Sequence, residues 1–131
     1  MGDYFASSHD ILIGGAGADV FIPWGPSDST PAAFDLIRGE YSPGGAPAFE
    51  GEGVAGGDTL DLSQIDAIAS TDIHDHFLFG GKSVGHLWLT EAGTRTLVLG
   101  NMGGDDTAEF KMVIDDGAVR ASEYWTDDFV L

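Results

Sequence analysis

The sequence predicts an all-β chain. Three observations carry that expectation: abundant Gly and Asp, an Asp that recurs every nine residues near the start, and aromatic or branched segments broken by turns from Phe77 onward. Gly and Asp are poor helix formers. Gly favours turns through its freedom at positive φ, Asp through local hydrogen bonds. The 131 residues include 20 Gly, and sixteen Asp stand against six Glu. The length suits one ordinary domain. A hydrophobic fraction of 43%, with eight Phe, three Trp and three Tyr, supplies a core and argues against wholesale disorder.

Charge and composition then exclude several classes of function. A formal net charge of -17 argues against binding nucleic acid or an anionic membrane through a basic face. Zero Cys removes disulfides, thiolate metal sites and thiol nucleophiles. No apolar run approaches the length of a transmembrane helix, and the N-terminus lacks a signal-peptide pattern. The acid excess itself has two readings. It is a solvated acidic surface, or it is a set of carboxylates grouped for a hard cation such as Ca²⁺, which takes oxygen ligands. Spacing has to separate them.

Residues 14–22, GGAGADVFI, fit the calcium-binding nonapeptide pattern. Gly14, Gly15 and Gly17 permit a tight turn that brings backbone carbonyls near an ion. Asp19 adds a carboxylate, and Phe21 fills the inward apolar slot of a short strand. The same frame one step earlier runs from Phe5 to Ile13, with Asp10 at the sixth place. One step later it runs from Pro23 to Pro31, with Asp28 there. Two such units make one turn of a roll, so alternate loops share an edge. Asp10 and Asp28 are then expected on one edge and Asp19 on the other, with Asp35 the nearest later acid. Pro26 and Pro31 are expected to hold the intervening loop extended.

The C-terminal half reads as strands and turns. HLWLTEAGTRTLVLG is a hairpin with Ala92-Gly93 at its tip. Phe110, Met112 and Ile114 alternate with Lys111 and Val113 as a half-buried strand, and Asp115-Asp116-Gly117 turns the chain. Asp58 and Asp61 read as turn caps, or Asp61 as the start of a short helical turn over Ser63 to Ala67, in preference to a carboxylate pair for sugar chemistry. Trp88 and Trp125 read as core or edge packing, or else as a sugar-binding platform. Such a cap seals the open end of a short roll, whose edge would otherwise invite pairing.

Four segments together resemble a known family. GGAGADVFI (14–22), SDSTPAAFDLIRG (27–39), GGDTLDLSQIDA (56–67) and the terminal DDFVL (127–131) occur in the order seen in the calcium-binding C-terminal region of serralysin-type secreted bacterial proteins, of the repeats-in-toxin class. The resemblance implies a short parallel β-roll packed on an antiparallel β cap, with Ca²⁺ in the roll. It implies carbonyls at Gly15 and Gly17 and the carboxylate of Asp19 as ligands, with Asp28 and Asp35 closing the final sites beside Asp10. It further implies that Asp128, Phe129, Val130 and Leu131 form an uncleaved signal for the type I secretion machinery, and hence an extracellular location. On this division residues 1–38 are a truncated roll, 39–57 a Gly/Pro-rich loop and 58–131 the cap. NMGGDDTAEF (101–110) departs from a more Asp-rich family version, with Asn101 first.

Catalytic signals are thin. The zinc-protease string His-Glu-x-x-His is absent from the sequence. His74 and His76 share one face of an extended segment and have no third ligand in view, and His9 and His86 stand apart. Ser63 lacks a nucleophile elbow and Ser83 a partner at suggestive spacing. The expected function is a non-catalytic module that folds on Ca²⁺ outside the cell. The alternative is a polysaccharide-binding or purely structural part of a larger secreted enzyme, such as a metalloprotease or epimerase.

Overall fold

The computed structural model describes residues 10–25, 28–40, 44–51, 56–68, 70–103, 107–117 and 119–131. His9 and Pro26, singled out above, lie outside the described residues, and so does Asp105 of the 101–110 stretch. The fold is all-β, with parallel and antiparallel pairing. The strands among the described residues are β1 (Ile11–Leu12), β2 (Val20–Phe21), β3 (Asp35–Arg38), β4 (Thr59–Asp61), β5 (Leu78–Phe79), β6 (His86–Ala92), β7 (Arg95–Asn101), β8 (Phe110–Asp115) and β9 (Phe129–Val130). One sheet runs β1-β3-β8-β7-β6-β5 and the other β2-β4-β9.

The roll is built by parallel stacking. β1 pairs with β3 and β3 with β8, while β2 pairs with β4 and β4 with β9, all parallel. In a strand successive side chains face opposite ways. Leu12 therefore turns in, at 4% exposure, while Ile11 turns out at 51%; Phe21 and Val20 repeat this at 1% and 50%. Register lines the inward residues up. Leu12, Ile37 and Ile114 form one row, and Phe21, Leu60 and Phe129 the facing row. All six belong to a single apolar core. Burying each such side chain contributes roughly 1.5–3 kcal/mol.

The C-terminal strands are thus part of the roll as well as its cap. β8 and β9 form its third layer, and the β6–β7 hairpin with β5 extends the first sheet. The hairpin closes through Gly93-Thr94, one residue later than expected, because Ala92 pairs with Arg95. Gly93 takes φ 64°, as a two-residue turn requires. On β8 the expected alternation holds for Phe110, Met112 and Ile114, but Val113 is buried too, at 1%, because both faces of β8 are covered.

Two stretches differ from expectation. Ser63 to Ala67 forms turns and bends without a helical turn; Asp61 Oδ1 accepts Ser63 N–H at 3.0 Å, and Ile65 N–H donates to Leu62 O at 3.0 Å. The Gly/Pro-rich loop carries core residues. Ala48 and Phe49 are buried, and Phe49 stacks on Phe21 at 6.4 Å and meets Tyr124 edge-on at 5.3 Å.

Candidate metal centre

Strands β1, β2 and β4 are each preceded by an Asp and β3 opens on one, and these four acids are tied in pairs across layers. Asp35, 2% exposed at the start of β3, accepts the Asp10 N–H through Oδ1 at 3.0 Å, while Leu36 N–H donates to Asp10 O at 2.8 Å. The other edge repeats the motif. Asp58, 1% exposed just before β4, accepts the Asp19 N–H at 2.8 Å through Oδ1, and Thr59 N–H donates to Asp19 O at 2.8 Å. Asp58 Oδ2 also accepts the Glu50 N–H at 2.9 Å. A buried carboxylate needs such donors, since burial without partners is costly.

These pairs correct the expected edges. Asp10 shares its edge with Asp35, not with Asp28, and Asp19 faces Asp58, not Asp35. Asp28 instead closes a local turn, accepting N–H bonds from Trp24 at 2.8 Å and Gly25 at 3.2 Å through Oδ2. The nine-residue spacing breaks after β2 because Thr30 and Ala33 exchange two backbone hydrogen bonds, inserting a closed turn before β3. Ser29, fully buried, anchors that turn. Its Oγ accepts the Asp35 N–H at 2.8 Å and donates to Lys111 O. The Asp28 and Asp35 carboxylates thus accept backbone N–H groups of different segments.

The Gly14–Asp19 turn keeps the geometry that its residues imply. Gly15 and Gly17 take φ 86° and 99°, a region that residues with a Cβ rarely adopt. A Cβ on Gly14 would come within 2.6 Å of Asp19 Oδ2, so only Gly lets that carboxylate lie against the turn. The Gly17 N–H donates to Glu50 Oε1 at 2.9 Å. Asp19 Oδ2 is buried and has no hydrogen-bond partner among the described residues. The turn thus offers one unsatisfied buried oxygen, with Glu50 alongside. Hard oxygen donors of this kind suit Ca²⁺. Among the described residues no three His, Cys, Asp or Glu side chains converge as a metal-holding group. Any ion here would rely on backbone carbonyls as well as Asp19.

Asp58 and Glu50 are the residues that the sequence reading missed. Asp58 read as a turn cap, and Glu50 lay unread inside the long loop. A signal for Asp58 exists: Gly56-Gly57-Asp58-Thr59-Leu60 repeats the Gly-x-Asp-x-apolar order of Gly17-Ala18-Asp19-Val20-Phe21.

The remaining polar groups have local partners. His74 Nε2 lies 2.9 Å from Ser63 O, and its ring meets that of His76 edge-on at 5.2 Å; both are exposed. Ser63 Oγ donates to Asp61 Oδ1, so His74 touches the backbone of Ser63 and not its hydroxyl. Asn101 Nδ2 donates to Lys82 O at 2.8 Å. At the C-terminus, Asp128 Oδ2 accepts the Trp125 N–H at 2.8 Å, and Phe129 and Val130 form β9 against β4. Phe129 is 7% exposed, and Leu131 packs partly buried against the core.

No protein-family model and no curated protein matches the sequence. Solved structures do match. The chain is similar in fold to the AlgE6R2 subunit of the Azotobacter vinelandii mannuronan C5-epimerase, with TM-score 0.56 and 22% identity over 95% of this chain and 66% of that one. It is also similar to the AlgE6R3 subunit, with TM-score 0.50 and 19% identity over 94% of this chain and 58% of that one. This chain therefore spans under two thirds of the length of either subunit. Among the described residues, no helix is long and apolar enough to cross a membrane.

Proposed function

We propose that this chain is a non-catalytic β-roll module of a larger secreted enzyme, and that Ca²⁺ completes its fold outside the cell. The observation that carries this reading is the Gly14–Asp19 turn: two glycines at positive φ and a buried Asp19 Oδ2 without a partner. An unpartnered buried carboxylate destabilises the ion-free fold, and a bound cation offsets that penalty. The net charge of -17 acts in the same direction, because neutralising acids relieves self-repulsion. The fold likeness to subunits of a mannuronan C5-epimerase supports membership of a larger enzyme. The serralysin-type tail is the narrower version of this reading, supported by GGDTLDLSQIDA and DDFVL. On that version Asp128 to Leu131 serve type I export before folding, since afterwards Phe129 and Val130 are paired in the strand β9.

Metal analysis of purified protein, with a Ca²⁺ titration followed by near-UV circular dichroism, tests the proposal. Bound calcium and a gain of aromatic signal on titration are expected. Identical spectra with Ca²⁺ and with chelator, and no retained metal, would overturn it. A metal-free structural module is the second reading. It is favoured by Asp35 and Asp58, whose carboxylates already accept backbone N–H groups and so close those edges without an ion.

A further inference from the structure

Away from the Asp19 turn, a cleft of about 640 Å³ lies between the β6 face and the C-terminal segment, and it holds Phe79, Trp88 and Trp125 together with Thr90, Glu91 and Ser122. Its volume falls in the range of small-ligand sites. It is open along one side, as a polymer passing through needs. The sequence leaves Trp125 between core or edge packing and a sugar-binding platform, and the residue is 61% exposed. It is also held in place. Its ring meets Phe79 edge-on at 6.0 Å, Phe79 packs in turn on Phe129 at 5.3 Å, and the backbone N–H of Trp125 donates to Asp128 Oδ2. A large aromatic face fixed in position and left bare to solvent is a recognition feature, because it contributes contact area at little further loss of side-chain freedom.

We infer that this cleft binds an uncharged saccharide chain, seated on Trp125 and Trp88. A sugar ring has an apolar C–H face that lies on an aromatic plane and a rim of hydroxyls that seeks hydrogen-bond partners. Here Thr90, Ser122 and Glu91 stand beside the aromatic walls and supply them. Charge selects against an acidic glycan. Among the described residues that line the cleft, Glu91 is the one carboxylate, with Arg120 at 3.6 Å, and Lys82 sits over the Trp88 ring at 5.9 Å; Glu123 and Asp127 stand close to lining residues in sequence, within a chain of net charge -17. A polyuronate would approach that field at a penalty, whereas a neutral chain would not.

Affinity electrophoresis in native gels tests this, with Ca²⁺ present throughout and folding checked separately by circular dichroism. Gels carry soluble β-glucan, galactomannan or xylan, with polygalacturonate as the acidic arm. At least one neutral polysaccharide is expected to retard the protein. Trp125→Ala is expected to weaken that retardation by about tenfold or more, Trp88→Ala likewise. Trp24→Ala, which removes a Trp 52% exposed outside the cleft, is expected to leave it unchanged. The inference is overturned if none of the neutral polysaccharides retards folded protein, if polygalacturonate retards it more strongly, or if Trp125→Ala migrates as wild type. Stronger Trp125-dependent fluorescence quenching by an apolar peptide than by any glycan would also overturn it. Since folding is read independently, a failed calcium response does not masquerade as a failed glycan site.

Discussion

Asp58 holds Asp19 in place twice over: its Oδ1 accepts the Asp19 N–H at 2.8 Å, and the next residue, Thr59, donates to Asp19 O at 2.8 Å. Asp58 also holds Glu50 through its second oxygen, at 2.9 Å. One side chain thereby joins the Gly14–Asp19 turn, the long loop and β4.

Asp58→Ala is accordingly expected to be severe. It leaves the N–H groups of Asp19 and Glu50 without their acceptor in a site where Asp58 is 1% exposed. Each unsatisfied donor costs about 1–3 kcal/mol, so a loss of roughly 2–5 kcal/mol is expected in urea unfolding. A loss below about 0.5 kcal/mol would show that the pairing is incidental.

Asp19→Asn separates the ion-free fold from the ion-bound one, because the two should respond with opposite signs. Asp19 Oδ2 is buried without a partner. Removing its charge is expected to leave the protein equally or more stable in chelator, while the stabilisation by Ca²⁺ shrinks. For one site that stabilisation is about 2.7 kcal/mol at a hundredfold excess of ligand over Kd. Thermal melts with Ca²⁺ and with chelator read both. If the variant keeps the full calcium response, Asp19 is not a ligand.

Much of the fold was legible because its periodicities are local. The Gly-x-Asp-x-apolar turn at Gly17–Phe21 and the β6–β7 hairpin can each be read within about a dozen residues. What could not be read is the pairing between distant strands. Asp10-Ile11-Leu12, Asp19-Val20-Phe21, Asp35-Leu36-Ile37 and Asp58-Thr59-Leu60 share one Asp-x-apolar order, but the closed turn at Thr30–Ala33 and the loop before Asp58 destroy the nine-residue spacing. A strict register therefore chose Asp28 as the partner of Asp10, where the fold uses Asp35. The third layer, from β8 and β9, lies far along the chain and carries no glycine repeat to announce it.

The terminal strand carries its own prediction. Phe129 is 7% exposed, pairs with Leu60 in register and meets Phe79 at 5.3 Å. Phe129→Ala is expected to cost about 3–5 kcal/mol, as for other buried aromatics truncated to Ala. Val130→Ser, at a position 43% exposed, is expected to cost under about 1 kcal/mol. Denaturation of the two variants distinguishes a strand that stabilises the fold from a tail that merely rests on it, which predicts equal and small losses.

Acid stability should carry the mark of Asp116. Its Oδ2 accepts hydrogen bonds from Thr96 Oγ1 at 2.6 Å and Tyr124 OH at 2.8 Å, while Oδ1 is buried and has no partner among the described residues. Desolvation pushes its pKa above the ordinary Asp value, and the neighbouring charge of Asp115 adds to this; the bonds from Thr96 and Tyr124 oppose the shift without cancelling it. The folded state therefore holds a proton that the unfolded chain has already released, in the window between the ordinary Asp value and the raised one. In that window stability from this group falls as pH rises, and the penalty is fully present above the folded pKa. Asp116→Asn abolishes the titration. The stability of wild type minus that of Asp116→Asn should decrease as pH rises through the window, then level off towards neutral pH. Carboxyl-carbon NMR titration of wild type should place Asp116 above the ordinary Asp value. A stability difference that stays flat, or grows with pH, would show that the carboxylate is ionised in the fold at no cost.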